Sequence, residues 1–370
     1  MNDEARATGS LDPVRQASLH ARRRRSTFLQ LRRDYSPTSS DRGGPTYAAL
    51  DLGTNNCRLL IARPTRDSFR VIDAFSRIIR LGEGVSATGR LSEGAIARAV
   101  DALAVCRDKM KNRGVTRARL IATAACRMAE NAAEFHAVVH EKVGLDLEIV
   151  DRETEASLAA NGCTPLIDPA AKGVILFDIG GGSSELVRLG PPQPVRCGPP
   201  KPIIKSWVSL PMGVVTLAER HGGLRVSQEV FEAMVAEVTE PVGRFAAANG
   251  GSLDGVHLLG TSGTVTTIAG VYLDLPRYER RRVDGCWMND GQITGVIARL
   301  MAMSYEDRAA NPCIGVERAD LVLAGCAILE AIRRAFPCAR LRVADRGLRE
   351  GILVELMRAD DAWGAGSAGP

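Results

Sequence analysis

The sequence lacks the features that would place a protein in a membrane or a secretory pathway. No apolar run in its 370 residues approaches the ~18 residues needed to span a bilayer. The first thirty residues also lack the apolar core of a secretory signal peptide. We therefore expect a globular protein with no membrane partner. At this length, two domains are the natural expectation.

Cysteines at metal-binding or redox spacing are also absent. Nine cysteines are scattered along the chain, and none forms a CxxC pair. An odd number without such spacing indicates neither a disulfide framework nor a zinc site. Unpaired cysteines are typical of reducing compartments, so we expect a cytoplasmic protein.

The common nucleotide-binding loops are missing as well. GxGxxG is absent from the first strand–turn segment, which argues against a dinucleotide-binding fold. No GxxxxGK[ST] sequence occurs, so there is no Walker-type loop. We also find no Ser-His-Asp or Cys-His arrangement that would supply a covalent nucleophile.

Positive charge is concentrated at the N-terminal end. Residues 1–46 contain nine arginines and five acidic residues, which accounts for four of the chain's five net positive charges. We predict a disordered tail there, and an arm that touches nucleic acid or another polyanion is the alternative. Because the remainder is close to neutral, the tail does not make this a nucleic-acid-binding protein.

What the sequence does contain is an alternation of strand and helix patterns from Tyr47 onward. YAALDLG and CRLLIAR are typical of two strands joined by a tight turn. SEGAIARAVDALAVCRDKMKNRG predicts a helix that Ser92 caps. A further helix is predicted from Ser227 to Asn249, with a break near Pro241. Alternating strands and helices indicate an α/β fold.

The opening pattern recurs in the second half of the chain. The Asp-Leu-Gly turn at Asp51 is matched 127 residues later by Asp-Ile-Gly at Asp178, again between two apolar strands. A repeat of about one domain length indicates an internal duplication. We predict domain I at residues 47–170, domain II at residues 171–357 and a flexible tail at residues 358–370.

Three turns rich in Gly, Ser and Thr follow apolar strands: DLGTNN (51–56), DIGGGSSE (178–185) and GTSGT (260–264). Glycines let backbone N–H groups converge on an anion, and hydroxyls add donors. One such loop is equally well explained as a tight turn, but three predict a phosphate-binding cleft. Asp51 and Asp178 would face each other there. A Mg²⁺ between them would offset their repulsion, and Glu185 could point back to the same ion.

Six segments, in order and spacing, resemble the Ppx/GppA phosphatases: DLGTNNCRLLIA, ATAACRMAENAAEF, ETEAS, DIGGGSSELV, GTSGT and DRGLREG. These enzymes are exopolyphosphatases and guanosine pentaphosphate phosphohydrolases of the actin/hexokinase/Hsp70 superfamily. The resemblance covers about Tyr47 to Met357. It implies two duplicated actin-like (ribonuclease H-like) domains. It also implies Mg²⁺-dependent hydrolysis of a terminal phosphoanhydride of polyphosphate or guanosine pentaphosphate in the cleft between them.

The resemblance also implies roles for individual residues. Glu155 matches the base that activates the attacking water, and Asp178 and Glu185 match metal-associated acids. The positions that match phosphate-binding loops are Thr54, Asn55, Arg58, Arg127, Gly180, Gly181, Gly182, Ser183, Gly260, Thr261, Ser262, Gly263 and Thr264. Without the resemblance, Glu155 is typical of a solvated helix residue, and Glu153 is its local competitor.

Two departures from the family pattern bear on substrate preference. The family commonly has Glu-Glu-Ala-Arg where this chain has Thr154-Glu155-Ala156-Ser157, so an arginine that could contact phosphate or hold the glutamate is missing. Longer members carry an additional C-terminal helical domain, and this chain ends before it could begin. Processive action on long polyphosphate is therefore not assumed.

Other interpretations stay open at this point. The glycine loops also permit a sugar-kinase-like or Hsp70-like ATPase, and Ser157 leaves room for a non-catalytic regulator that binds guanosine tetra- or pentaphosphate. The sequence does not rank polyphosphate against pentaphosphate, and a homodimer is one candidate oligomeric state. Weaker site candidates are His136 with His140 as a metal pair, Arg280 to Arg282 as a polyphosphate track, and Asp345 as a cleft residue or a helix cap.

Overall fold

A computed structural model describes residues 44–249 and 251–364 of the chain. These residues form two mixed β-sheets flanked by helices, and the first strand begins at Tyr47, as predicted. The basic tail predicted to be disordered lies almost entirely outside the described residues. Within the described ranges we find no helix that combines the length and apolar character needed to cross a bilayer.

The first sheet is built around the first predicted strand pair. Its five strands are β1 (Tyr47–Leu52), β2 (Asn56–Pro64), β3 (Phe69–Ile78), β4 (Arg117–Ala122) and β5 (Glu148–Ile149). They lie in the order β3-β2-β1-β4-β5. β1, β2 and β3 pair antiparallel, whereas β4 is parallel to β1 and β5 is parallel to β4.

The second sheet repeats this arrangement. Its six strands are β6 (Gly173–Ile179), β7 (Ser184–Leu189), β8 (Ile204–Leu210), β9 (Val256–Thr261), β10 (Trp287–Asn289) and β11 (Arg340–Ala344). The order is β10-β11-β9-β6-β7-β8, with an antiparallel β6-β7-β8 meander and β9 and β11 parallel to β6. The same order and directions in both sheets confirm the predicted duplicated α/β fold.

The helices are α1 (Val85–Thr88), α2 (Glu93–Asn112), α3 (Ala124–Met128), α4 (Ala132–Val143), α5 (Arg152–Cys163), α6 (Val214–His221), α7 (Gln228–Asn249), α8 (Gly263–Tyr272), α9 (Arg280–Val283), α10 (Asp290–Ala302), α11 (Tyr305–Ala310), α12 (Val322–Ala335) and α13 (Leu348–Ala359). The Ser92 hydroxyl accepts from the N–H of Ala95 and caps α2, as predicted. The predicted break at Pro241 is wrong. α7 continues through it, because the proline removes one N–H donor while Val238 and Val242 on either side stay packed in the core.

Two helices lie between the sheets, and each covers the sheet of the other half of the sequence. α5 follows the first sheet in the chain, but its Ala156, Ala160 and Cys163 pack on the second sheet. α13 follows the second sheet, but its Ile352 and Met357 pack on the first sheet. We call the first sheet with α1–α4 lobe I and the second sheet with α6–α12 lobe II. The predicted boundary at residues 170 and 171 stays a prediction.

The two exchanged helices touch each other through glycine. A Cβ added to Gly162 in α5 would lie 1.9 Å from the carbonyl oxygen of Gly347, and one added to Gly351 in α13 would lie 1.9 Å from the carbonyl oxygen of Leu158. Any side chain at either glycine would force the helices apart. Backbone contact therefore holds α5 and α13 in one orientation.

The C-terminal segment differs from its prediction as a flexible tail. α13 continues to Ala359, and Trp363 is only 6% exposed. Its indole N–H donates to the carbonyl of Ser68 over 2.9 Å, next to the core of lobe I. A buried indole with a satisfied N–H anchors a chain end strongly. Residues 365–370 lie outside the described residues.

Candidate active site

A cleft of about 950 Å³ opens between the lobes, at the carboxyl ends of β1, β6 and β9. All three predicted loops contribute to its walls. The predicted site residues that line it are Asp51, Thr54, Asn55, Arg58, Glu155, Asp178, Gly180, Gly181, Gly182, Ser183, Glu185, Ser262, Gly263 and Thr264. The fold thus gathers residues that lie more than two hundred positions apart in the sequence.

The first two loops are the same structural element in each lobe. In both, the N–H two residues after the leading aspartate donates over 2.9 Å to a carbonyl three residues on, from Gly53 and from Gly180. In both hairpins the aspartate pairs with the residue seven positions later: Asp51 with Arg58, and Asp178 with Glu185. At this equivalent position, lobe I therefore has the positively charged side chain of Arg58 and lobe II has the carboxylate of Glu185.

The glycine run of the second loop lies against the first loop. A Cβ on Gly181 would stand 2.9 Å from Cβ of Thr54, and a Cβ on Gly182 would stand 2.9 Å from its Oγ1. These glycines are therefore needed for the loops of the two lobes to meet. The carbonyls of Gly180 and Gly181 accept from the first N–H groups of α6, at Val214 and Val215, which turns these acceptors away from an anion in the cleft.

Four carboxylates share the floor of the cleft. Burial, together with repulsion from Glu155 and Asp51, raises the pKa of Asp178 to about 7. Burial, with repulsion from Glu155 and Asp178, raises the pKa of Glu185 to about 8, although Ser209 donates to it over 2.7 Å. Burial also raises the pKa of Asp51, against the lowering effect of Arg58. Mutual repulsion in a buried site is the electrostatic signature of carboxylates arranged for a cation.

Glu155 lies in the first turn of α5 and faces the cleft, whereas its competitor Glu153 is exposed. Nη1 of Arg127 donates to Glu155 Oε2 over 2.8 Å and to the carbonyl of Val150 over 2.9 Å. Burial raises the pKa of Glu155, and the guanidinium of Arg127 acts in the opposite direction. The structure places Arg127 beside Glu155 and not on the cleft wall, so its predicted contact with phosphate stays a prediction.

The third loop contributes only its second half. Gly260 and Thr261 belong to β9, where Thr261 pairs with Asp178 and its hydroxyl donates to the Arg346 carbonyl over 2.7 Å. They lie behind the cleft wall because the strand continues through them. Ser262, the next residue, has φ of +121° and accepts from the N–H of Thr264. A non-glycine residue with that φ is strained, as often occurs at functional sites.

One arginine in the cleft belongs to no motif that we recognised. Arg318, between α11 and α12, lines the cleft beside Gly263. Like Arg58 on the opposite wall, its guanidinium has no hydrogen-bonding partner within the described residues. A cation-lined cleft with two unpaired guanidiniums suits an anionic ligand. No local pattern distinguishes Arg318 from a surface arginine, which is why sequence reasoning missed it.

The weaker candidates have structural partners elsewhere. His140 pairs with Asp146 on the surface. Arg280 donates to Glu350 over 2.8 Å, and Asp345 accepts from the hydroxyl of Tyr278 over 2.7 Å. None of these residues lines the cleft.

A metal ion fits the donor set of the cleft, although no three His, Cys, Asp or Glu residues in the described ranges are close enough together to hold one unaided. Mg²⁺ usually takes only one or two carboxylates and keeps several waters. The carboxylates of Asp178 and Glu185 meet that need. Asn55 and Asn56 add buried amide oxygens that have no partner within the described residues. Such acceptors suit a cation or its water ligands.

The two duplicated lobes and the phosphate-type loops between them define an actin-like enzyme that acts on phosphate compounds. The comparison with protein families makes this specific: the model of the Ppx/GppA phosphatase family matches residues 60–360. The chain belongs to that family and is a hydrolase of phosphoanhydride bonds.

Known relatives match nearly the whole of their own length. The chain is 29% identical to exopolyphosphatase 2 of Mycobacterium tuberculosis over 326 residues, which is 84% of this chain and 98% of the relative. It is 27% identical to the Aquifex aeolicus member of the Ppx/GppA family, with a TM-score of 0.71 over 86% of this chain and 99% of that one. An exopolyphosphatase from Cytophaga hutchinsonii, 22% identical, has the same fold, with a TM-score of 0.75 over 85% and 98% of the two chains.

Proposed function

We propose that this chain releases the terminal phosphate of inorganic polyphosphate by attack of water on the terminal phosphorus. The observation that carries the proposal is the position of Glu155, a half-buried carboxylate held by Arg127 in a cleft walled by the glycine loops of both lobes. The name of the relative exopolyphosphatase 2 supports polyphosphate as the substrate class. Guanosine pentaphosphate, a nucleotide and not an inorganic polyphosphate, is the alternative substrate to test.

The cleft residues would hold the phosphate chain by its oxygens. Arg58 and Arg318 offer guanidiniums from opposite lobes that have no hydrogen-bonding partner in the described part of the chain. The backbone of Gly181 to Ser183 and of Ser262 and Gly263 offers N–H donors. Phosphoryl transfer needs little covalent help from the protein. Its rate depends on groups that place the reactants in line and stabilise the charge on the equatorial oxygens.

Glu155 would serve as general base. A water molecule attacks the terminal phosphorus while Glu155 accepts a proton from it, and the bond to the bridging oxygen breaks. The products are orthophosphate and a polyphosphate shorter by one unit. The electron pair of the broken bond stays on the bridging oxygen, which becomes the new end of the shortened chain. Arg127 fixes the carboxylate and favours its ionised form, which a base requires.

We further propose Mg²⁺ as the cofactor, held by Asp178 and Glu185 with Asp51 nearby. Bound there, the ion would neutralise charge on the phosphate oxygens. We also propose a cytoplasmic location, because all nine cysteines are unpaired. A homodimer stays a proposal for solution measurement.

The deciding experiment compares phosphate release from long polyphosphate, tripolyphosphate, guanosine pentaphosphate and ATP, each with Mg²⁺. Faster release from polyphosphate than from ATP supports the proposal. Preference for ATP would instead support an actin-like or sugar-kinase-like ATPase. Micromolar binding of guanosine pentaphosphate with no hydrolysis of any substrate would indicate a regulator.

A further inference from the structure

A short segment after β3 is attached to the first phosphate loop. We call residues 79–86 the bridging segment. The N–H groups of Ile79 and Arg80 both donate to the carbonyl of Asn55, over 2.9 and 3.1 Å, and that of Gly82 donates to the carbonyl of Thr54 over 2.8 Å. Any displacement of the bridging segment is therefore transmitted to the loop that lines the cleft.

The same segment also binds lobe II. The guanidinium of Arg80 donates to both carboxylate oxygens of Asp320, over 3.1 and 3.2 Å, and to the carbonyl of Glu317 over 3.2 Å. These two acceptors flank Arg318, which lines the cleft on the side of lobe II. A bidentate arginine–carboxylate pair fixes orientation as well as distance. Arg80 thus connects Asn55 on one wall of the cleft with the backbone that carries Arg318 on the other.

A second contact supports the first. Glu219 of α6 accepts from the N–H of Gly84 over 3.0 Å and from the hydroxyl of Ser86 over 2.9 Å. The two contacts border an open pocket that shares Asn55 and Leu321 with the main cleft. The bridging segment therefore spans the gap between the lobes directly behind the phosphate loop.

The backbone of Arg80 is strained, and its ion pair with Asp320 is partly exposed to solvent. Arg80 has φ of +46°, in the left-handed region that a non-glycine residue rarely occupies. Such strain persists where the surrounding contacts impose it. The side chains of Arg80 and Asp320 are 34% and 22% exposed, so water and salt can compete for them.

We propose that Arg80 is a positioning residue: by bridging to Asp320 and Glu317, it sets the separation of Arg318 from the first phosphate loop. When this bridge is formed, the first phosphate loop and Arg318 both contact the phosphate chain. When it is broken, only one of the two walls does. The inference rests on the proposed function, since the ligand placed between the two walls is the phosphate chain.

The kinetic test uses four variants with tripolyphosphate as substrate. Arg80→Ala and Asp320→Asn each raise KM by about 5- to 10-fold and change kcat little, because Glu155 and Arg127 are untouched. The double variant resembles either single variant, since both remove the same contact. Arg80→Lys gives an intermediate KM, because an ammonium lacks the fork that serves both acceptors.

The matched control is Arg90→Ala. It breaks an exposed ion pair with Glu134 inside lobe I and leaves KM unchanged. An unchanged KM in both Arg80→Ala and Asp320→Asn, or fully additive effects in the double variant, overturns the inference.

A structural readout separates this inference from the proposed function. Small-angle X-ray scattering follows the radius of gyration of the full chain in a Glu155→Gln background as tripolyphosphate is added. We expect Arg80→Ala and Asp320→Asn to give a larger radius and to need more ligand for compaction. If the parent chain hydrolyses nothing, the proposed function fails while scattering still tests the bridge. If it hydrolyses polyphosphate and both variants match it in radius and KM, the bridge alone is rejected.

Discussion

The guanidinium of Arg127 and the carboxylate of Glu155 form an ion pair with Nη1 and Oε2 2.8 Å apart, and the two side chains are only 17% and 14% exposed. The pair joins α3 to the first turn of α5. Arg58 and Arg318 line the cleft and have no hydrogen-bonding partner within the described residues. Arg127 does not line the cleft, and its guanidinium is paired with the carboxylate of Glu155. In the proposed mechanism, this division separates the residues that would hold the substrate from those that would act on it.

Replacing Glu155 with Gln should lower kcat for phosphate release by about 10²- to 10⁴-fold, because the amide cannot accept a proton from water. Binding of tripolyphosphate, measured by calorimetry, should change little. Glu153→Gln on the same helix turn is the control, since that side chain is exposed, and it should retain full activity. Equal losses in both variants would remove Glu155 from its proposed role.

Replacing Arg127 with Gln should move the acidic limb of the pH profile of kcat/KM to higher pH. Arg127 lowers the pKa of Glu155 against the raising effect of burial, so its removal lets that pKa rise. Glu155 would then ionise only at higher pH, and a base is active only when ionised. A profile that keeps its acidic limb while KM alone rises would instead assign Arg127 to phosphate binding.

Mg²⁺ should stabilise the protein more at pH 8.5 than at pH 6. The pKa values of Asp178, about 7, and Glu185, about 8, are raised above those of the unfolded chain. The folded state therefore binds protons more tightly. The free energy of unfolding therefore falls as pH rises through these values. A cation bound by the ionised carboxylates would offset that loss.

The measurement is thermal unfolding with Mg²⁺ or with chelator at the two pH values. We expect a rise in Tm of about 5 °C at pH 8.5 and a smaller one at pH 6. The double variant Asp178→Asn, Glu185→Gln should lose the difference. An equal Mg²⁺ effect at both pH values would contradict the assignment of these carboxylates to the ion.

Arg318→Ala should raise KM for tripolyphosphate by about 10- to 100-fold. This range corresponds to the free energy of one hydrogen bond to a charged group. The matched control is Arg281→Ala, since Arg281 is exposed on α9 and lies outside the cleft. It should not change KM. A loss of kcat without a change in KM would indicate that Arg318 acts on the transition state alone.

Two glycine-to-alanine changes should have opposite effects on stability. Gly351→Ala places a Cβ against the carbonyl of Leu158 and should lower the free energy of unfolding by about 3 kcal/mol or more. Gly243→Ala in α7 meets no atom within 4 Å and should raise it by about 1 kcal/mol through helix propensity. Urea unfolding measures both, and a stabilising Gly351→Ala would show that α5 and α13 can separate freely.

The parts of the fold that the sequence predicted are those encoded locally. Each lobe repeats an apolar strand, an Asp-containing turn and a second strand, and such patterns depend on neighbours in the chain. The fate of Pro241 depended instead on core contacts at Val238 and Val242, which kept α7 continuous. The anchoring of Trp363 likewise required a carbonyl at Ser68, far away in sequence.

The site was predicted to the extent that it lies in glycine-rich turns. Gly260 and Thr261 have the composition of such a turn, but pairing with β6 draws them into β9 and behind the cleft. Arg318 and Arg80 have no sequence signature, because their positions follow from how the lobes meet. Pairing between distant residues is decided by tertiary packing, which a local pattern does not encode.

The chain passes between the sheets at two places, through residues 150–151 before α5 and through residues 345–347 before α13. These passages lead into α5 and α13, which glycine brings into backbone contact. Two fixed points define a line. If the lobes move, we expect rotation about that line, because sliding or twisting apart would strain both passages at once. The expected motion is therefore a hinge rotation, which would change the distance between the phosphate loops of the two lobes.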